Sequence, residues 1–335
     1  MLGAIVHKLT GQRLDAFLEP RLFQPLGIEG HDWETSLEGL NIGSSRLRLK
    51  AEDIAKFGQL YLQKGNWQGR QILSEKWIGE ATRKQTDTPP GDSGSSHGYG
   101  YQFWQCKPNG VYWGGGSFEQ LCVVIPEQDA VVAVTSQTWV RHGAIKLILE
   151  TLLPALTGTA LPANPTDAAA LKNELNRLVI PASKGSKASA LSAQYHRKLF
   201  ILETNSFAIR EARFLFKDNA CGVEWLTAEG AVSFEFGWEA WHLNKGMPEN
   251  LFNVADLNPA NIQYPSKIAR TATWLAPNTL QLRVKYVEVI HHDTLTCVFE
   301  GDKVSISFLN SIVENTKRAT ETRKPLKGTL KKPGN

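Results

Sequence analysis

Apolar residues recur at helical spacing through the first third of the chain. Leu2, Ile5, Val6 and Leu9 share one face of a helix that Thr10-Gly11 stops. Leu14, Phe17, Leu18 and Leu22 share a face of a second, which ends near Pro25-Leu26-Gly27. Ala51-Glu52-Asp53 leads into Ile54, Phe57, Leu60 and Tyr61, with Gly65 as the stop, and Ser74 opens a further short helix. From Tyr99 the period changes to two. Tyr99 to Trp104 reads as a strand, Phe118 to Val124 as a second and Ala130 to Thr135 as a third. The third is apolar throughout, which predicts a central position in the sheet. Pro126-Glu127-Gln128-Asp129 supplies the turn between the last two, and Ala144 to Leu156 predicts an apolar helix packed on the sheet.

Leu161 to Asp167 and Pro181 to Ala190 have linker composition and flank one short helix. Beyond Tyr195 alternation dominates: Val232, Phe234 and Phe236; Leu280, Leu282, Val284 and Tyr286; Leu295, Cys297 and Phe299; Val304, Ile306 and Phe308. Roughly eight short strands separated by turns predict a closed or nearly closed antiparallel barrel. The predicted class is α+β. An antiparallel sheet with helices covers 1–157, a linker 158–193, an antiparallel β-barrel 194–330 and a basic tail 331–335.

Composition adds limits. With 335 residues, 42% hydrophobic and 21% charged, the chain has the profile of a soluble two-domain protein. No apolar run is long enough for a membrane span. The opening, MLGAIVHKLTGQRL, is too polar for a signal peptide and reads as chain already inside a domain. The compartment then follows from whatever precedes it: periplasmic or secreted with an export signal, cytoplasmic without one. The net charge of +4 is concentrated in Thr316–Asn335, where seven Lys or Arg face one Glu. This segment reads as a solvated tail, leaving no basic folded face for nucleic acid. Cys106, Cys122, Cys221 and Cys297 show no metal or redox spacing, and Cys122 and Cys297 fall in apolar strand patterns.

The stretch from Tyr112 to Ser136 carries the candidate chemistry. Gly114-Gly115-Gly116 allows close approach of a ligand or of another backbone, and equally suits a plain hairpin turn. Trp104, Trp113 and Trp139 suit either a substrate cleft or a core. Glu119 reads either as exposed or as acidifying the mouth of a site. His97 reads as a solvated loop residue. His291-His292-Asp293 invites a metal reading, but neighbours on a strand point to opposite faces, so a turn or strand end is favoured. No metal or cofactor is expected.

Five segments in order resemble the serine β-lactamase and penicillin-binding protein superfamily, in its class C and esterase branch. They are Leu2-Gly3-Ala4-Ile5-Val6 with Thr10-Gly11; Leu22 to Ile28; Glu52 to Leu62; Gln71-Ile72-Leu73-Ser74 with Trp77; and Trp113 to Val132, with Gln120 and Pro126-Glu127-Gln128-Asp129. The resemblance implies an incomplete β-lactamase/transpeptidase-like domain over residues 2 to about 156. It makes Trp113, Gly114, Gly115, Gly116, Ser117, Phe118 and Gln120 the third-motif wall of an acyl-serine site, with the motif register open by one residue. One oxyanion N–H would come from near Gly116 to Phe118. The strand lacks the motif's Lys or His. No Ser is followed by Lys three residues on, no Tyr-x-Asn occurs, and residues 1–157 hold no Tyr-x-Ser. The expected partner is a small-molecule acyl substrate (β-lactam, peptide or ester), with the chain inactive alone. Trp241, Trp274, Asn278-Thr279-Leu280, Phe299 to Asp302 and Asn310 resemble the lipocalin-like barrel appended to some of these hydrolases, with a packing or homo-oligomerisation role. Two further readings stay open: a non-catalytic binding or assembly module, and a hydrolase using Ser117.

Overall fold

The computed structural model describes residues 1–89, 96–107, 110–245, 267–316 and 320–332. The chain forms two compact units, one over Met1–Pro165 and one from Thr166 onward. In the first, helix Leu2–Thr10 ends on Gly11, whose φ of 71° is the left-handed cap that glycine adopts without a Cβ penalty. Leu14–Leu18, Glu19–Phe23 and Gln24–Leu26 form one helical run that Gly27 closes in the same way. The helix Ala51–Leu62 and the helix Glu75–Thr82 follow, the latter capped where the Ser74 hydroxyl accepts from the Trp77 N–H at 3.1 Å.

Two short ladders, β1 (Asp32–Trp33) with β2 (Leu47–Arg48) and β3 (Asn66–Trp67) with β4 (Arg70–Gln71), flank these helices in sequence. The main sheet is antiparallel, in the order β5 (Trp104–Gln105), β6 (Tyr112–Gly116), β7 (Gln120–Ile125) and β8 (Ala130–Val134). Alternation along β7 sends Leu121, Val123 and Ile125 to one face, where Ile145, Ile148 and Leu149 of the helical run 143–155 cover them. Val124 and Tyr112 face the other way, against Tyr61 and Ile78. Helix Ala51–Leu62 comes so close that a Cβ on Gly58 would lie 2.5 Å from Val131 Cγ1 and 2.9 Å from Cys122 Sγ.

Three strand expectations need correction. Only Trp104 of the Tyr99–Trp104 stretch lies in a strand, since Gln102 turns at φ 69°. The strand expected from Phe118 begins at Gln120, because Phe118 and Glu119 form the hairpin turn. The apolar strand β8 is an edge strand and not a central one, with all five residues half-buried. Helices cover its faces, and this suffices to make it apolar throughout.

In the second unit, helix Pro165–Arg177 and helix Ala190–Tyr195 precede the barrel. Its strands are β9 (Leu199–Leu202), β10 (Glu211–Phe216), β11 (Ala220–Leu226), β12 (Ala231–Trp238) and β13 (His242–Lys245). They continue as β14 (Lys267–Ala276), β15 (Thr279–Tyr286), β16 (His292–Glu300), β17 (Lys303–Asn310) and β18 (Leu326–Leu330). The ladder runs β12-β11-β10-β9-β18-β17-β16-β15-β14-β13, and a short parallel pairing of β12 with β14 closes it. Phe200, Phe214, Trp225, Phe236, Trp274 and Phe299 lie in its core.

The solvated-tail reading of Thr316–Asn335 is overturned. Leu326–Leu330 is the strand between β17 and β9, and Arg323 is buried against Asp293. Lys327 points outward while Leu326 is buried, so the basic count masked a period of two. Lys317 and Arg318 lie outside the described residues.

Candidate functional site

The three glycines lie inside strand β6 and none has the left-handed backbone that a turn would need. Their use is absence of a side chain. The Trp113 indole folds over Gly115, where a Cβ would sit 2.1 Å from Trp113 Cζ3; at Gly114 the nearest neighbour would be 3.8 Å away. This lets Trp113 bury to 4% exposure against Trp104, stacked with centroids 5.8 Å apart.

The turn falls instead on Phe118 and Glu119, at φ 64° and 66°. They are two of the three loop residues 117–119 between the paired Gly116 and Gln120, in a backbone conformation that Gly or Asn usually supplies. For non-glycine residues each such position costs about 1–2 kcal/mol. Neighbouring contacts hold it. The Gln120 amide donates to the Ser136 carbonyl at 2.6 Å and accepts from the Ser136 N–H at 3.2 Å. The Ser136 hydroxyl donates to the Phe118 carbonyl at 2.9 Å, and the Phe118 ring meets Trp139 edge-on at 4.6 Å. Gln120, expected on the site wall, thus ties the hairpin tip to the segment 136–142.

Glu119 is neither exposed nor free. At 7% exposure its carboxylate accepts from the backbone N–H groups of His142 (2.8 Å), Ala144 (3.1 Å) and Ile145 (3.4 Å). It caps the helical run 143–155 from another part of the chain, where three donors have no intrahelical acceptor. A sequence reading cannot find this, because the capping residue lies more than twenty positions before the helix.

Together these elements enclose a cleft of about 280 Å³. Trp104, Trp113, Trp139, Gly115, Gly116, Ser117, Phe118 and Glu119 line it, joined by Arg141 and His142, which the sequence did not mark. Gly114 and Gln120 are outside the lining. Ser117 is exposed. His97 is exposed in its loop, its backbone N–H donating to the Gln105 carbonyl. In the barrel, His291 contacts the Ser311 hydroxyl at 3.1 Å and His292 contacts Glu314 at 2.6 Å, so their side chains have separate partners. Asp293 accepts from Tyr286 and Arg323. Burial pushes its carboxyl up, against the opposing pull of Arg323. A Tyr-x-Ser string does occur in the second half of the chain, Tyr264-Pro265-Ser266, and it lies outside the described residues. Among the described residues no helix is long and apolar enough to cross a membrane.

Residues 1–152, just under half of the chain, match the Beta-lactamase family model. Comparison with curated proteins gives no match. Among solved structures, a protein described as a 6-aminohexanoate-dimer hydrolase from Bacillus anthracis is 21% identical over 52% of this chain and 40% of its own, with a TM-score of 0.35. An octameric penicillin-binding protein homologue from Pyrococcus abyssi is 12% identical over 97% of this chain and 62% of its own, with a TM-score of 0.31. A fatty-acid-binding protein from Manduca sexta is 11% identical over 41% of this chain and 99% of its own, with a TM-score of 0.26. The chain therefore spans less than two thirds of the length of the first two. At these TM-scores the likenesses carry no weight of their own.

Proposed function

We propose that residues 1–152 furnish one wall of a serine acyl hydrolase site, and that this chain by itself does not turn over acyl substrates. The observation that supports this is the open edge of β8. Both faces of this strand, Ala130–Val134, are covered by helices, yet among the described residues nothing pairs with its outer side. Such an edge calls for another strand. The helix Leu2–Thr10 likewise buries no residue, with Leu2 and Leu9 largely exposed.

A further segment bearing Ser-x-x-Lys, in this or another polypeptide, would meet both needs. Its Ser would attack the acyl carbon of a β-lactam, peptide or ester and the Lys would take the proton. The developing oxyanion would accept from a backbone N–H near Gly116 to Phe118. The tip is stiffened for that role by Gln120, Ser136 and Glu119.

The test is turnover of nitrocefin and p-nitrophenyl butyrate by the purified chain. The expected rates equal those in buffer. A rate above buffer that Ser117→Ala abolishes would overturn the proposal in favour of Ser117 as nucleophile. The barrel serves packing or self-association in this reading, and a concentration-independent monomer mass by light scattering would remove self-association.

A further inference from the structure

The barrel buries a cation for which the fold supplies no acceptor. Along β14, Ile268, Ala272 and Trp274 face the barrel core, so Arg270 between them faces the same way. It is 6% exposed, and its guanidinium carbon lies 4.9 Å from the centre of the Phe234 ring. Among the described residues it has neither an ion pair nor a hydrogen bond. Burial lowers its pKa, with Tyr286 acting the other way. A buried guanidinium calls for partners, because five N–H donors have given up water. The neighbouring acid is already committed. Arg270, Val284 and Asp293 form one row across β14, β15 and β16. Asp293 in that row accepts from Tyr286 at 2.9 Å and from Arg323 at 2.7 Å. Two further donors, Arg323 Nη1 and Trp274 Nε1, are sealed in without acceptors. The barrel interior therefore has donors to spare at Arg270, while the next row, Ala272–Leu282–Leu295, is apolar.

The barrel wall is also weakest at this residue. β12 and β13 are the two ends of the ladder and share no rung. β12 meets β14 only at Gly237–Thr271 and Trp238–Ala272. The contact between Arg270 on β14 and Phe234 on β12 spans that seam. We propose that the barrel takes up a small amphiphile at this seam, Arg270 holding its anionic head group and the apolar interior its chain. The head is a carboxylate or a phosphate monoester, either of which matches the planar donor fork. Low-polarity surroundings strengthen such a pairing over one at an open surface. The site lies in the second unit and its occupancy does not depend on acyl turnover.

The experiment is a ligand-observed NMR titration of the full chain at neutral pH. The probes are octanoate, octyl phosphate and octan-1-ol, which share a chain and differ in the head. At least one anion should bind about tenfold more tightly than the alcohol, the usual worth of one charge-assisted hydrogen-bonded contact. The tighter of the two identifies the head group. Arg270→Met should remove the margin and leave the affinity for the alcohol unchanged, and Arg270→Lys should keep part of it. R270M should also melt no lower than the wild type, because it exchanges an unpaired buried charge for an apolar side chain. Equal affinities for the three probes, no detectable binding of either anion, or a margin that survives in R270M would each overturn the proposal. A clear drop in the melting temperature of R270M would overturn it too, since Arg270 would then have its partners within the fold. Far-UV circular dichroism checks that both variants are folded, and the comparison of probes on the wild type stands without them.

Discussion

Removal of the Glu119 carboxylate is the sharpest perturbation available to this site. Glu119→Ala leaves three backbone N–H groups at the start of the 143–155 helical run without their acceptor, two at 3.1 Å or less and one at 3.4 Å. A cap residue lost to alanine costs about 0.5–2 kcal/mol, and a charged acceptor at a helix N-terminus adds up to about 2 kcal/mol when partly buried. These terms overlap, so the expected loss is about 3 kcal/mol. For a unit of this size that lowers Tm by roughly 6–12 °C. Backbone strain gives an internal control. Alanine at φ 66° is strained as glutamate is, whereas glycine is not. Glu119→Gly should therefore recover about 1 kcal/mol of the loss despite also lacking the carboxylate. Calorimetry reads the global effect, and hydrogen exchange of the peptide 142–152 reads the helix start. An E119A melt within about a degree of wild type, or an E119G variant less stable than E119A, would refute the capping argument.

Other expectations follow from single contacts. Gly115→Ala drives a methyl into the Trp113 indole and should cost about 1–3 kcal/mol with a red-shifted tryptophan emission, while Gly114→Ala should be close to neutral in denaturant melts. Arg323→Ala strands the buried Asp293 carboxylate and should cost about 3–5 kcal/mol by urea unfolding, with Asp293→Asn milder. Burial pushes the Cys106 and Cys122 thiols up to about 12 and raises Cys221 and Cys297 as well. A raised thiol pKa means little thiolate below that pH, so all four should resist Ellman's reagent at pH 8 in the native state and react together in denaturant.

How much was legible in the sequence depended on the range of the determining contacts. Helix Leu2–Thr10, with its Gly11 stop, and helix Ala51–Leu62 were readable because period and cap lie within a few residues. Barrel strands such as Thr279–Tyr286 were readable from strict alternation. The β8 position was misjudged because apolarity reports coverage of faces by helices and says nothing of pairing at edges. The left-handed turn was misplaced because Gly114–Gly116 look permissive, whereas the positive φ values fall on Phe118 and Glu119, held there by Ser136 and the helix start. Of the wall, the sequence marked Trp113 and Gly115 to Phe118 but could not find Arg141 and His142, which reach the cleft only through tertiary folding.

The barrel's seam sets an order on biosynthesis. Strand β9, the first of the barrel, pairs with β18, the last, so more than a hundred residues separate the two sides of one ladder. While a ribosome is still making the intervening chain, the free side of β9 has no neighbour and the cylinder stays open. Closure therefore waits until Leu326–Leu330 has emerged, long after the β5–β8 sheet can form from adjacent hairpins. Non-local pairing of this kind slows folding and leaves a bare strand available to chaperones or to another nascent chain. The last strand acts as a fastener, and its arrival times the maturation of the second unit.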